Sequence, residues 1–490
     1  MHYSDRLLVD AHVGRRDMKQ ALVSVIVVCT NDRKHLKDCF SSVLNSHYPR
    51  IEVIMVDNAS SDDSVSFVEE QFPSVKILRN KRNIGFSRSN NRGVKESSGE
   101  YIFLLNPDTI TDPQCIARLV KEMERHSEIG ICGAKMLMEY ERKVINSIGH
   151  NVNRIFYGWD RGCFELDKGL YNETFEVPSV CNGAALYRRE IFNDIGLFDE
   201  RLFVYCDDLD YGIRANLCGY KVVAVPSAKV YHKINIRIEN PRHHEFEEHR
   251  YRLRILLKNC PKELLEAKLK ESILFDIGSI KKWLQSGDYR RASYRLRALL
   301  WNLLVLPDTM RERKRIQRKK RADTNEFNRL FIDRGGYPFF NAPVPDYEFR
   351  RNDRIDARSL DSGFIVGRGE EKCLGLGWYP RENIKGRPAR RMGYFGIFYI
   401  SDPQINVSGA RYMKIYIYGR KNTKISILIN NIPMHHEALK TNGWQTLRIN
   451  TLGREEILKA SLFVDVSEKL KEPIVNIAVS EVKLLIANVM

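Results

Sequence analysis

Apolar and polar positions along the chain follow three different rhythms. Up to about residue 245, short β-branched runs alternate with stretches of helical period. ALVSVIVVCT (21–30) predicts a buried strand, and RKHLKDCFSSVLNS (33–46) repeats Leu36, Phe40, Val43 and Leu44 at helical spacing. IEVIMVD (51–57), VKILRN (75–80) and YIFLLN (101–106) predict three further strands, with helices over SDDSVSFVEEQF and SRSNNRGVKES between them. Ser60, Ser61 and Asp62 offer N-caps for the first of those helices. Strands alternating with helices imply an α/β fold around a parallel sheet with right-handed crossovers. Such sheets bind ligands beyond the carboxyl ends of their strands. The polar residues gather there, at Thr30-Asn31, Asp57-Asn58, Asn80 and Asn106-Pro107-Asp108.

A second rhythm runs from 246 to 330, helical and without strand signals. In DYRRASYRLRALLWNLLV (288–305), Leu296, Leu299, Leu300, Leu303 and Leu304 share one stripe, with Arg291, Arg295 and Arg297 off it. Asp288 suits the N-cap, Pro307 ends the helix, and RERKRIQRKKR (311–321) follows at once. From 331 to 490, short runs such as GYFGIFYI, RYMKIYIYG and KISILIN recur between Gly, Asn and Lys turns. That third rhythm predicts an all-β sandwich of jelly-roll type. Residues 1–20 read as an N-terminal tail.

Charge changes the picture of the middle segment. The formal net charge is +17, and Arg250–Arg321 holds 21 Lys/Arg against 7 Asp/Glu. A surplus concentrated this way predicts a basic surface facing anionic lipid, phosphate or nucleic acid. A leucine stripe beside arginines favours peripheral membrane contact through residues 288–321. Packing of the stripe on the neighbouring domain, with the charges merely solvated, is the alternative. No nucleic-acid-binding signature accompanies the charge. Ten cysteines without Cys-x-x-Cys spacing read as free thiols in a reducing compartment. The first residues lack the apolar centre of a signal peptide, and no run approaches the ~20 apolar residues that span a bilayer. The expectation is a cytoplasmic protein, at the inner face of a membrane it does not cross.

The candidate chemistry begins at the strand ends. Alone, Asp57 in DNASS reads as an Asx-turn residue, and Asn106-Pro107-Asp108 as a turn. Together with the Asn-, Gly- and Arg-rich loop NKRNIGFSRSNNRG, they form the set of acceptors and donors that a nucleotide needs. Neither Gly-x-Gly-x-x-Gly nor a P-loop follows the first strand, so dinucleotide binding and P-loop chemistry are unsupported. A second acid cluster, Asp207, Asp208 and Asp210, lies in VYCDDLDYGIR (204–214). A helix N-terminus explains acids there through the helix dipole, and it also fixes carboxylates at a pocket rim.

VSVIVVCTND, IEVIMVDNASSDDS, NIGFSRSNNRGV, YIFLLNPDT, NGAALYRREIFNDIGLFDERLFVYCDDLDYGIRANLCGYK and AKVYH occur in that order. Over residues 21–235 the chain resembles inverting glycosyltransferases of family 2, with their GT-A, Rossmann-like nucleotide-sugar-binding fold. Bacterial rhamnosyltransferases are nearest in style. The resemblance implies that Thr30 and Asn31 touch the nucleotide and that Asp57 binds its base or ribose. It puts Asn83, Gly85 and Asn90 in the loop that closes over the donor. It matches Asn106 and Asp108 to an Asp-x-Asp element whose first acid is Asn here, with Asp108 holding a divalent cation, Mg²⁺ or Mn²⁺. His232 matches a second metal ligand of some relatives; an ordinary satisfied histidine is the equal alternative. Asp208 matches the general base, with Asp207 and Asp210 orienting the acceptor or Arg214.

The implied reaction moves a sugar, rhamnose among the candidates, from a dTDP- or UDP-sugar donor to a cell-surface polysaccharide or lipid-linked oligosaccharide. The rival reading is a non-catalytic glycan-binding or assembly protein that keeps a degraded GT-A domain. The C-terminal strands loosely resemble jelly-roll carbohydrate-binding modules. Trp378, Tyr379 and Trp444 would stack on sugar there, although aromatics in β-domains more often fill cores.

Overall fold

Seven consecutive buried residues, VSVIVVC, make β1 (Val23–Cys29) a strand covered on both faces, the condition that a continuous apolar run requires. The computed structural model describes residues 20–139, 141–163, 167, 171–233 and 241–332, and strand segments between 363 and 486. After β1 come α1 (Arg33–Leu44), β2 (Ile51–Asp57), α2 (Ser64–Gln71), β3 (Lys76–Arg79), α3 (Phe86–Lys95) and β4 (Tyr101–Leu105). β1 pairs in parallel with both β2 and β4, and β2 pairs in parallel with β3. In this register Cys29 lies opposite Asp57, Asp57 opposite Arg79 and Val27 opposite Leu105, so the carboxyl ends finish at one rim.

Beyond β4 the strict alternation stops. The chain continues through β5 (Thr109–Thr111), α4 (Cys115–Arg125), β6 (Ile129–Met138), β7 (Glu141–Ser147), β8 (His150–Val152), β9 (Gly158–Asp160) and β10 (Phe175–Glu176). Then follow β11 (Ala184–Arg188), α5 (Arg189–Ile195), α6 (Asp207–Leu217) and β12 (Lys221–His232). The main sheet runs β10-β12-β6-β11-β4-β1-β2-β3, with β5 on β12 and β7 on β6. β11 is antiparallel to both β4 and β6, so the sheet is mixed rather than wholly parallel.

One face of the sheet packs Val25, Val27 and Phe103 against Leu36, Phe40 and Leu119 of the helices. The other packs Ile26, Ile54 and Leu104 against Val94, Phe192 and Tyr211. α3 approaches closely there: a Cβ on Gly93 would sit 2.6 Å from the Ile26 side chain.

The helical segment comprises α7 (Pro241–Asn259), α8 (Lys262–Gln285), α9 (Tyr289–Leu304), α10 (Leu306–Gln317) and α11 (Thr324–Arg329). It shares a core with the sheet domain, in which Leu209, Ile213 and Leu217 of α6 meet Tyr251 and Ile255 of α7, with Ile316 and Phe327. Much of its charge is internal. Arg254 meets Asp199 at 2.8 Å, Lys258 meets Asp210 at 2.9 Å, and Arg252 meets Asp276 at 2.7 Å, each with a cation side chain only 1% exposed.

Arg295 also pairs with Asp276 and is buried, whereas Leu296, Leu300, Leu303 and Leu304 face outward. The packing alternative, with the leucine stripe turned inward, is therefore overturned at those four positions. Nor is the polybasic run 311–321 an open patch. Arg315 donates to the Ile195 carbonyl at 3.1 Å, and Lys319 and Arg321 both pair with Asp194.

The C-terminal strands are β13 (Gly363–Ile365), β14 (Trp378–Ile384), β15 (Arg387–Met392), β16 (Phe395–Ser401), β17 (Arg411–Gly419), β18 (Lys424–Ile429), β19 (Ile432–Ala438), β20 (Gly443–Thr451), β21 (Ile457–Val464) and β22 (Ala478–Ile486). They pair in the orders β14-β15-β22-β17-β20, with β13 on β22, and β16-β21-β18-β19. The stacking expected of Trp378, Tyr379 and Trp444 concerns side chains outside the described residues, as does the tail 1–19.

Removing the shared carboxylate in Asp276→Ala leaves the Arg252 and Arg295 guanidiniums buried without it. Breaking a buried pair this way costs about 3–5 kcal/mol. Urea unfolding should show that loss, and an unchanged midpoint would show that the cluster contributes nothing to holding α7, α8 and α9 together.

Candidate active site

At the end of β1 the chain turns through Asn31, a non-glycine residue at φ +56°. The Thr30 N–H donates to Asp32 Oδ2 at 2.9 Å, and Asn31 Oδ1 accepts from the Ser61 N–H at 2.7 Å. This ties the β1 loop to the β2 loop. Asp57, buried at the end of β2, accepts from the Ser60 N–H at 3.1 Å. The Asx turn is thus present, and it occurs within a cluster of polar strand ends.

An asparagine ladder continues the rim. Asn58 Nδ2 donates to Asn83 Oδ1 at 2.7 Å, Asn80 Nδ2 to Asn58 Oδ1 at 3.1 Å, and the Gly85 N–H to Asn83 Oδ1 at 3.0 Å. Gly85 stands at φ +90°, and a Cβ there would lie 2.7 Å from the Phe203 carbonyl, so only glycine fits without displacement. The Phe86 N–H donates to that same carbonyl at 2.6 Å. The loop is thereby pinned to the segment leading into α6. Asn90 on α3 is buried, and its Nδ2 has no hydrogen-bond partner among the described residues.

The turn after β4 is held by the Asn106 N–H donating to the Gly183 carbonyl at 3.1 Å and by Thr109 Oγ1 donating to the Asn106 carbonyl at 2.6 Å. Asp108 Oδ1 lies 3.1 Å from His232 Nε2, and His232 Nδ1 lies 2.8 Å from Asn146 Oδ1. Antiparallel pairing of β5 with β12 sets Thr109 opposite His232 and so creates the contact. With Nδ1–H directed to Asn146, Nε2 and the carboxylate face one another. A carboxylate oxygen and an imidazole nitrogen suit a divalent ion of the Mg²⁺ or Mn²⁺ kind. Among the described residues no group of three or more such side chains is arranged as a complete metal site.

Two consecutive non-glycine residues at positive φ, Tyr205 at +67° and Cys206 at +61°, precede α6. Such strain persists where the surroundings over-determine it, and here it aims the first turn of α6. Asp207 is buried and accepts from Asn182 Nδ2 at 2.6 Å. Asp208 keeps 19% of its side chain exposed, which makes it the carboxylate of this pair open to an incoming group. The Leu209 N–H donates to Asp208 Oδ1 at 2.7 Å. His150 Nε2 stands 3.9 Å from Asp208 Oδ2 and 3.4 Å from Asp160 Oδ1, and its Nδ1 lies 3.1 Å from Ser179 Oγ.

The electrostatics follow from this crowding. Burial, then the neighbouring Asp208 charge, pushes the Asp207 carboxyl up to about 7. Burial raises Asp208 too, while His150 and the Leu209 N–H pull it back. Burial opposes charging His150, but Asp208 and Asp160 prevail and lift it to about 9. Against desolvation, contact with His150 holds Asp160 below the usual carboxylate range, with a further contribution from His232. Asp160 thus feels the charge of both His150 and His232.

The structure brings Thr30, Asn31, Asp57, Asn83 and Gly85 into one hydrogen-bonded rim. The Asn106 N–H bonds the Gly183 carbonyl, and the preceding residue, Asn182, bonds Asp207, so Asp108 and the acid pair share a wall. Asp210 does not join them: it is fully buried, with Lys258 at 2.9 Å and Asn259 Nδ2 at 2.8 Å, and Arg214 stands 3.8 Å away. His150, Asp160 and Asn182 were not singled out from the chain. Asn182 opens the NGAAL run and was within reach, whereas the stretch holding His150 and Asp160 has no helix or strand period to mark them.

Residues 24–196 match the family model described as Glycosyl transferase family 2. The "O-antigen biosynthesis protein RfbC" of Myxococcus xanthus is 29% identical over 219 residues, covering 43% of this chain and 17% of that protein. An "Uncharacterized glycosyltransferase" of Haemophilus influenzae is 33% identical over 207 residues, covering 40% and 61%. The "N-acetylglucosaminyl-diphospho-decaprenol L-rhamnosyltransferase" of Mycobacterium tuberculosis is 25% identical over 255 residues, covering 47% and 82%. The chain spans 17%, 48% and 61% of the length of the first curated relatives it matches. The similarity to glycosyl transferase family 2 thus lies within the sheet domain, over residues 24–196.

A His150 pKa raised to about 9 means that its ion pairing stabilises the fold fully below the unfolded value near 6.5, and is lost as pH rises through about 9. The stability difference between wild type and His150→Gln should shrink across that window in denaturation series at stepped pH. A constant difference would show that the ring acts by packing alone.

Proposed function

We propose that this chain is an inverting glycosyltransferase. It transfers a sugar, with rhamnose the first candidate, from a dTDP- or UDP-sugar to a cell-surface polysaccharide or lipid-linked oligosaccharide. The observation that carries the reading is Asp208: part-exposed at the start of α6, held by a backbone N–H, facing His150, on the wall it shares with Asp108.

The donor's base and ribose occupy the rim of Thr30, Asn31 and Asp57, and the loop of Asn83, Gly85 and Asn90 covers them. The unpaired Asn90 Nδ2 is a donor available to that ligand. Asn106 meets a ribose hydroxyl, and the diphosphate lies toward Asp108 and His232. Asp108 and His232 would hold a divalent cation there, which would supply charge stabilisation for the leaving diphosphate.

Asp208 accepts the proton of the acceptor hydroxyl as that oxygen attacks the anomeric carbon from the face opposite the diphosphate. One C–O bond forms as the bond to the diphosphate oxygen breaks, so the configuration inverts. Asp207, retaining its proton up to about pH 7, leaves a single negative charge on the pair. His150 keeps that charge on Asp208. The buried Asp210 anchors α6 to α7 rather than meeting substrate. A lipid-linked acceptor brings the enzyme to the inner face of a membrane; no helix among the described residues is long and apolar enough to cross one.

Asp208→Asn should lower the transfer rate by about 10²–10⁴-fold, while the sugar nucleotide still raises the melting temperature. Loss of that thermal shift in a folded Asp208→Asn variant would assign Asp208 to donor binding. In a screen of nucleotide sugars with and without Mn²⁺, Asp108→Ala should abolish the Mn²⁺-dependent part of the shift. Its full retention would remove Asp108 from the cation site.

A further inference from the structure

We infer that the outer face of α8 and α9 is a docking surface for an anionic lipid bilayer. These helices are inside out. On α9, Leu296, Leu300, Leu303 and Leu304 are 51%, 50%, 65% and 81% exposed, at the i, i+4, i+7, i+8 spacing of a single face. On α8, Leu274, Ile277 and Leu284 are likewise exposed. The inward faces carry the polar groups instead: Ser272 and Asp276 on α8, Arg295 and Asn302 on α9. Arg252 and Arg295 both bond Asp276, and Asn302 Nδ2 donates to the Arg250 carbonyl at 2.9 Å. Hydrogen-bonded partners therefore lock the polar faces inside, and the apolar faces cannot rotate inward without stranding buried charges. Exposed aliphatic side chains repeated along a helix face in this way mark an interaction site.

The composition of the surface selects its occupant. Six cations, Lys262, Lys270, Lys281, Lys282, Arg290 and Arg297, are exposed along the same two helices against three acids, Glu263, Glu266 and Glu271, with Tyr289 at the turn that joins the helices. Asp288, the acid of that turn, is engaged as the α9 N-cap, accepting from the Arg291 N–H at 3.1 Å. Aliphatic side chains among basic ones, with an aromatic at the margin, fit an interfacial helix on anionic headgroups. The core of a protein–protein interface is instead depleted in lysine and enriched in aromatics. A second copy would set one basic face against another in a two-fold contact. Residues 331–490 offer no opposite charge either, since they hold 24 Lys/Arg against 17 Asp/Glu.

The surface is coupled to the candidate active site. Arg295 Nη1 donates to Tyr157 Oη at 2.9 Å, immediately before β9 and Asp160. A protein seated on α8 and α9 thus holds that strand at a set position relative to the bilayer.

The test is sedimentation of the full chain with phosphatidylcholine vesicles, with and without phosphatidylglycerol. The protein should pellet with the phosphatidylglycerol vesicles, about tenfold more weakly without that lipid, and less as salt rises. The double variant Leu303→Glu/Leu304→Glu should lose pelleting at an unchanged melting temperature, because both side chains already face solvent. Absence of phosphatidylglycerol-dependent pelleting, or equal pelleting by the folded double variant, overturns the proposal. So does a dimer in light scattering that the double variant splits, because the face then belongs to a second copy. No sugar donor enters the assay, so its failure leaves the transferase reading standing.

Discussion

The register that aligns Cys29 with Asp57, and Val27 with Leu105, is the constraint on which the rest of the molecule depends. Because β1 is buried on both faces, a slip of one residue would force side chains fitted to one core into the other. The same register brings the strand-end loops to one rim. Neither the asparagine ladder nor the Asn106–Gly183 bond could form if those ends were staggered. The candidate site is thus a consequence of sheet packing, completed by the antiparallel return of β11 and the long β12.

The second organising feature is how acids are kept together. Asp160, Asp207 and Asp208 share a semi-buried cluster where mutual repulsion and desolvation would otherwise raise all three. His150 between Asp160 and Asp208 absorbs much of that cost, and one acid, Asp207, is left to hold its proton. Two carboxyls in adjacent positions acquire different protonation behaviour from environment alone. That separation lets a pair of identical residues divide the work of base and neighbour, as the proposed mechanism requires.

The helical unit shows the same logic at larger scale. Its buried Arg252, Arg254, Arg295 and Lys258 are paired with Asp199, Asp210 and Asp276, and those pairs decide which way each helix turns. Once Arg295 is committed to Asp276 and Tyr157, the leucines of α9 have only the outside left. In the polybasic run after Pro307, Arg315, Lys319 and Arg321 are likewise spent on Asp194 and a backbone carbonyl of the sheet domain. Much of the segment's positive charge is structural, and part of what remains exposed lies on the helices that carry the leucines.

Local period was enough to read β1 to β4, their helices, and the acids at the strand ends, because one side chain after another records whether both faces of a strand are buried. It was enough to place Asp57, Asp108 and Asp208 at element boundaries that turn and cap chemistry marks, while their proposed roles came from the family resemblance. Period tells which residues share a helix face, however, and not which face turns inward; Asp276, far along the chain, decided that for Arg295. It is also silent about partners in space. His232 meets Asp108 only because β5 pairs with β12, His150 and Asp160 join Asp208 only through packing, and Asp210 is lost to the interior because Lys258 arrives from α7. Contacts of that range belong to the tertiary structure, since no local preference encodes which distant charge will neutralise which.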